Sequence, residues 1–442
     1  MHRRPLLRDV KSERVLAAAR KLYAECKKSH KLCRYARDTV LPSRVLDLGT
    51  VETPTLKLYV NNTEEHGELG FRYLWVDALC IIQDCSMDKE KEIANMAMIY
   101  KNAAVTIAAG TAAKAADGFL DMKGTYLPES KFSVPMPNGE KGTVYLRAEA
   151  HIPRHPLDER GWVLQEFLLS SRMLVFSEYE LLWQCKEVEL RGVLGNGIEY
   201  LQPQESLPWT VFDEETESIF GHEDREKRYI WRTIVEQYTL RQLGFMGDRL
   251  NALQGITREL ETLWRDSNEF GLWRKWFVEL LAWSKRGCDG DEVVRETTRE
   301  GRAPSWSWAS VNGRIRFTQM FEREDAAVQE VNLLEARVSR HVVLKCRLLA
   351  DDEVDPAIFE EDNTSGISRV QMFYDMDDSV DEVGDKALNY LLLGTISEGG
   401  KGLGVAIMVV EASGGFFQRV GLAIFENTDV WKDSEHQHVR LQ

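Results

Sequence analysis

Residues 73–84 read YLWVDALCIIQD, and this stretch sets the expectation for the fold. Its first residues are aromatic and β-branched, which predicts a buried strand over 71–76. From Asp88 to Tyr100 the pattern turns helical, with Ile93, Met96, Ala97 and Tyr100 on one stripe. AVTIAAG (104–110) then reads as a second short buried strand. Strand, helix and strand within this distance predict a βαβ unit and a parallel sheet. Asp77 then stands at the C-terminal end of a parallel strand, where open α/β sheets gather ligand-binding groups. On that reading Asp77 and Gln83 face a polar cleft and Cys80 is a candidate nucleophile. The competing reading makes Asp77 a cap for the next turn and Cys80 a core residue.

A chain of 442 residues exceeds what one hydrophobic core usually supports. Its 43% apolar content and twelve Trp describe a folded globular protein. No apolar run reaches the roughly 20 residues of a membrane helix, and the basic N-terminus lacks the pattern of a secretory signal. A cytoplasmic location is therefore expected. Seven cysteines at irregular spacing do not form a disulfide framework and read as reduced thiols. The net charge is -15, but residues 1–44 carry thirteen Lys and Arg against four Asp and Glu. The body is correspondingly acidic, which disfavours nucleic-acid binding. The basic segment reads as a solvated helix face or as a contact for an acidic partner.

The chain divides by texture. Residues 1–60 form a basic segment with a helix over 12–29, carried by Val15, Leu16, Ala19, Leu22 and Tyr23. Residues 61–195 hold the α/β core. Residues 196–300 are expected to be largely helical, and 229–283 contain five of the twelve Trp. Residues 301–442 are β-rich, with Ala412-Ser413-Gly414-Gly415 marking a hairpin. The stretch 351–385 has thirteen acidic residues and one Arg, and it reads as a mobile insertion. MLVFSEYELLWQC (173–185) predicts two strands joined at Ser177-Glu178-Tyr179.

A second dense stretch, RGWVLQE, crowds Arg160, Trp162, Gln165 and Glu166 into seven residues. On a helix Trp162 and Glu166 share a face. The set suits recognition of a phosphate or ribose, and equally a buried ion pair with Asp77. Cys26, His30 and Cys33 fall at helical spacing as C-x3-H-x2-C. A structural zinc site takes four ligands, and no fourth lies nearby in the sequence, so no metal is assigned. No Gly-rich phosphate loop, HExxH or nucleophile-elbow serine is present.

Taken in order, YLWVDALCIIQD, IANMAMIYKNAAVTIAAG, GFL, RGWVLQE, RMLVF and ELLWQC resemble the fungal heterokaryon incompatibility (HET) domain. DRLNALQGI, APSWSWAS and FFQRVGLAIF resemble the region that follows it, and AECKKSHKLC with LPSRVLDLG the segment that precedes it. The resemblance implies a TIR-like parallel-sheet core, a helical subdomain and a C-terminal β-rich region. It also implies a role in nonself recognition, with programmed cell death induced through protein partners whose identity it does not give. Homo-oligomerisation is a further option. Some TIR domains hydrolyse NAD, so the alternative is an NAD-consuming hydrolase with Glu92 as catalytic carboxylate. On that alternative NAD is a substrate, and no cofactor is otherwise required. Glu92 reads equally as a surface residue of an amphipathic helix. The chain departs from the family twice. Lys89 stands where the family usually has Trp, and no counterpart of the opening SYCWG-like block precedes FRYLWVD.

Overall fold

The computed structural model describes residues 10–33, 41–50, 52–60, 72–120, 129–137, 139–147, 155–178, 180–194, 223–285, 303–317, 321–333, 336–359, 370–376, 386–398, 401–426 and 428–442. The chain forms two units, 1–216 with 252–259 and 217–251 with 260–442.

The first unit begins with helix α1 (Glu13–Ser29), which buries Val15, Ala19 and Cys26 and leaves its charges outward. Strands β1 (Arg44–Gly49), β2 (Pro54–Val60) and β3 (Tyr73–Leu74) form an antiparallel sheet in the order β2-β1-β3. Leu46 of β1 lies opposite Leu58 on one side and Leu74 on the other. Helices α2 (Asp77–Cys80) and α3 (Ser86–Asn102) follow, and then strand β4 (Thr106–Ala108). A hairpin of β5 (Glu129–Pro135) and β6 (Lys141–Arg147) precedes helix α4 (Gly161–Leu169). Strands β7 (Arg172–Phe176), β8 (Leu181–Cys185) and β9 (Val188–Gly192) complete a second sheet, ordered β4-β7-β8-β9.

This arrangement corrects the expected βαβ unit. The strand at the opening stretch is only two residues long, and it pairs antiparallel with β1. β4 lies in the other sheet, where its parallel partner is β7 rather than β3. The extended run stops because α2 starts at Asp77, whose Oδ1 accepts the Ala78 N–H at 2.7 Å. An Asp carboxylate bonding a neighbouring backbone N–H offers the chain a turn in place of a ladder. The parallel pair therefore arises one helix later, across α4.

The predicted β7–β8 hairpin is present, with Arg172 opposite Cys185 and Phe176 opposite Leu181. Ser177 closes its turn, its N–H and Oγ–H both donating to the Glu180 carbonyl. Tyr179 lies outside the described residues. His155 packs against Gly110, where a Cβ would sit 3.1 Å from the imidazole and 3.1 Å from the Phe176 carbonyl. Burial holds the His155 imidazole below its usual pKa, against the opposing pull of Asp158 and Glu178.

The second unit opens with helices α5 (Glu223–Thr239) and α6 (Gln254–Trp264), the latter shared with the first unit. Short pieces follow, namely β10 (Asn268–Glu269), β11 (Leu272–Trp273), α7 (Phe277–Leu280), β12 (Ser284–Lys285) and β13 (Ile315–Arg316). Trp231 and Trp308 both donate their indole N–H to the Gly271 carbonyl, at 2.9 and 3.0 Å. A buried indole needs such a partner, and this explains why the SWSWAS stretch packs beside α5.

The remaining elements are β14 (Glu330–Asn332), α8 (Ala336–Ser339), β15 (Val342–Ala350), β16 (Val370–Tyr374), β17 (Leu388–Glu398), β18 (Lys401–Ala412), β19 (Phe416–Phe425) and β20 (His436–Leu441). The ladder runs β14-β15-β17-β18-β19-β16, and β20 pairs with both β15 and β19, so it closes on itself. Val405–Val410 of β18 are all fully buried, as a continuous apolar run requires when both faces are covered. Gly414 and Gly415 turn the β18–β19 hairpin at φ of 78° and 74°, conformations that glycine adopts without strain.

The stretch 351–385, expected to be a mobile insertion, contributes a sheet strand. β16 pairs with β19 from Val370 opposite Phe425 to Tyr374 opposite Gly421. Residues 360–369 and 377–385 lie outside the described residues, as do 211–222. Asp375, next to β16, is fully buried against Arg419. Arg419 donates Nε–H to Asp375 at 3.1 Å and its terminal nitrogens to the Leu281 and Trp283 carbonyls at 2.5 Å each. Its guanidinium also stacks 3.5 Å from the centre of the Trp283 ring.

Two outcomes follow from these buried titratable groups. Asp375→Ala leaves the Arg419 cation uncompensated in the core, so it is expected to cost about 3–5 kcal/mol. Urea unfolding measures this. His155 stays neutral in the fold, whereas the unfolded imidazole protonates below about pH 6.5. Its contribution to stability is therefore present above pH 6.5 and is lost as pH falls through the lower folded value. Melting temperatures from pH 7.5 to 5 should decline more steeply in the wild type than in His155→Gln.

Candidate functional site

Two clusters form around the opening stretch, and both depend on where α2 and α3 sit relative to β1. Arg44, the first residue of β1, donates Nε–H to the Cys80 carbonyl at 2.6 Å and a terminal N–H to Asp88 Oδ2 at 2.5 Å. The Cys80 carbonyl is at the end of α2, so a cation there completes an otherwise open acceptor. Asp88 also accepts the Ile82 N–H at 2.8 Å, which fixes the loop from α2 to α3. The Arg44 guanidinium holds the Asp88 carboxyl below its ordinary pKa. Glu92, one turn further along α3, lies 3.8 Å from the same guanidinium and is only 1% exposed. The surface-residue reading of Glu92 is thereby overturned. Cys80 is fully buried, and burial is the largest influence on its thiol, pushing the pKa up. That is opposite to what an activated nucleophile needs.

The second cluster surrounds Tyr100 on α3. Its ring stands edge-on to Trp75 at 5.9 Å. Burial raises the phenol pKa well above its ordinary value, and the charges of Glu166 and Asp77 act in the same direction. Arg160 pulls the other way. Tyr100 therefore remains a neutral phenol beside the Glu166 carboxylate. The structure thus brings together Asp77, Arg160 and Glu166, which the sequence separates by some eighty positions. Arg160 is exposed immediately before α4, while Trp162 and Glu166 are half-buried on it. A neutral phenol, two carboxylates and an accessible guanidinium thus lie near one another.

The other two residues singled out from the sequence are placed elsewhere. Gln83 is exposed and folds back on its own backbone, donating to the Asp77 and Ile81 carbonyls at 3.2 and 3.0 Å. Gln165 is buried, and its Oε1 accepts the Gly255 N–H at 2.7 Å. A Cβ at Gly255 would fall 2.5 Å from Ala97 Cβ and 2.6 Å from Gln165 Oε1. This close approach accounts for glycine in DRLNALQGI.

Sequence reasoning missed Arg44 and Tyr100 as site residues. Arg44 stood among thirteen basic residues that read together as solvated charge. Tyr100 sat on an apolar helix stripe, where an aromatic ring is ordinarily core. The sequence held no signal for either role, because both depend on partners remote along the chain.

Residues 45–166 match the family model described as Heterokaryon incompatibility protein (HET). Residues 45–166 therefore carry a HET (heterokaryon incompatibility) domain. The match begins one residue after Arg44 and ends on Glu166, so it spans α2, α3 and both carboxylates around Tyr100. No curated protein and no solved structure matches the chain beyond this. No helix among the described residues is long and apolar enough to cross a membrane.

Gln165→Leu keeps the side-chain volume but leaves the Gly255 N–H without its acceptor. An unsatisfied buried donor costs about 1–3 kcal/mol, so the urea midpoint should fall accordingly. An unchanged midpoint would show that this bond does not hold α6 in place.

Proposed function

We propose that this chain acts in fungal nonself recognition and induces a cell-death response through protein interactions. The match of residues 45–166 to the HET family carries this reading. The surface of the first sheet supports it. Every residue of β2 is exposed, and Leu56 (72%), Leu58 and Val60 form one apolar row. Among the described residues β2 pairs only with β1. An edge strand with an apolar row is a template for pairing with another chain. The Tyr100 cluster adds polar recognition groups without an activated nucleophile.

Glu92 weighs on the alternative, an NAD-consuming hydrolase. Its burial against Arg44 favours a carboxylate that holds α3 in place over one that meets a substrate.

Induced expression of the full chain in a fungal host is expected to arrest growth, and Leu56→Asp with Leu58→Asp to relieve the arrest at equal abundance. Unimpaired growth with abundant folded protein would count against the reading. Purified protein incubated with NAD is expected to release no nicotinamide. Turnover abolished by Glu92→Gln would instead establish the hydrolase.

A further inference from the structure

The C-x3-H-x2-C stretch finds its fourth ligand in the fold. Cys26 in the last turn of α1, His30 and Cys33 just beyond it, and Cys185 at the end of β8 bring their ligand atoms together. All four lie within 4.8 Å of one another. His30 Nδ1 is 3.3 Å from Cys185 Sγ and 3.8 Å from Cys33 Sγ. Tetrahedral zinc, with bonds of about 2.3 Å to sulfur and about 2.0 Å to nitrogen, sets its ligand atoms roughly 3.5–3.8 Å apart. The three sulfurs are fully buried or nearly so, and His30 is half-buried.

We propose that Cys26, His30, Cys33 and Cys185 form a structural zinc site that fastens α1 to the β4-β7-β8-β9 sheet. The ligand set is closed, three thiolates and one imidazole, which is the chemistry of a structural rather than a catalytic zinc.

The surroundings fit a metal-bound cluster. Arg172, buried on β7, donates Nε–H to Cys26 Sγ at 3.1 Å and a second N–H to the Cys33 carbonyl. Three thiolates around a divalent ion carry one net negative charge, and the adjacent guanidinium offsets it. Glu187, in the turn after β8, accepts the Leu32 N–H at 2.8 Å, so the loop carrying His30 and Cys33 is tied to the strand pair that supplies Cys185. Cys26, Cys33 and Cys185 belong to one apolar cluster with Val15, Ala19 and Trp183. In the structure all three cysteines are free thiols rather than a disulfide.

The consequence reaches beyond the family match. None of the four ligands lies within residues 45–166. The site would join a segment before the matched span to a strand after it, making the stable unit larger than that span. It involves neither Tyr100 nor Arg44.

Elemental analysis of the full chain, purified under reducing conditions without added metal, tests the proposal. One zinc per chain is expected, falling to near zero in Cys185→Ser and unchanged in Cys85→Ser. Replacing the metal with Co2+ in the wild-type chain should give the intense visible bands of tetrahedral thiolate ligation. This readout does not depend on a variant that folds. A metal-free protein that develops no such bands would overturn the assignment, as would iron in place of zinc. A thiol titration showing a disulfide between any two of the three cysteines would overturn it too.

Discussion

Arg44 is the constraint on which the matched unit depends. One guanidinium touches β1 through its own backbone, α2 through the Cys80 carbonyl and α3 through Asp88 and Glu92. A planar cation with five donors can serve several acceptors at once in a fixed geometry, which a lysine cannot. Because α2 and α3 are held this way, Asp77 and Tyr100 come near α4, which Arg160 precedes and which carries Glu166. Without that anchor the two-residue strand β3 would have little to orient it. The helices that carry Asp77 and Tyr100 are thus held by a part-buried ion pair and not by a long parallel strand.

Two fully buried arginines act in a similar way. Arg419 binds Asp375 and two carbonyls in the second unit, and Arg172 binds a thiol and a carbonyl beside α1. Each links segments far apart in sequence through hydrogen bonds to backbone acceptors. A buried cation must be matched by acceptors with good geometry or it destabilises the fold. Such residues therefore specify one packing arrangement more strongly than apolar contacts of equal area.

Much of the local structure was legible in the sequence. Helical spacing marks α1 and α3, apolar runs and a Ser-containing turn mark β7 and β8, and paired glycines mark the β18–β19 turn. These signals are short-ranged, and the physics that produces them acts within one element. Where legibility failed, long-range contacts were responsible. The apolar run at 73–76 was too short to reveal whether its partner was β1 or β4. The acidic composition of 351–385 concealed β16, because charges flanking VQMFY outweighed its β pattern.

The residues alone determined that 45–166 carry a HET domain, since that likeness resides in ordered blocks of side chains that read the same in any conformation. They also marked several helices and strands, α1, α3, β7 and β8 among them. Only the tertiary structure decided which polar residues act together. It set Tyr100 beside Glu166, turned Gln165 away to Gly255, buried Glu92 beside Arg44, and brought Cys185 to Cys26, His30 and Cys33 across about 150 residues of chain. Those pairings depend on loop closure and on the geometry of buried charges, neither of which leaves a local mark on the sequence.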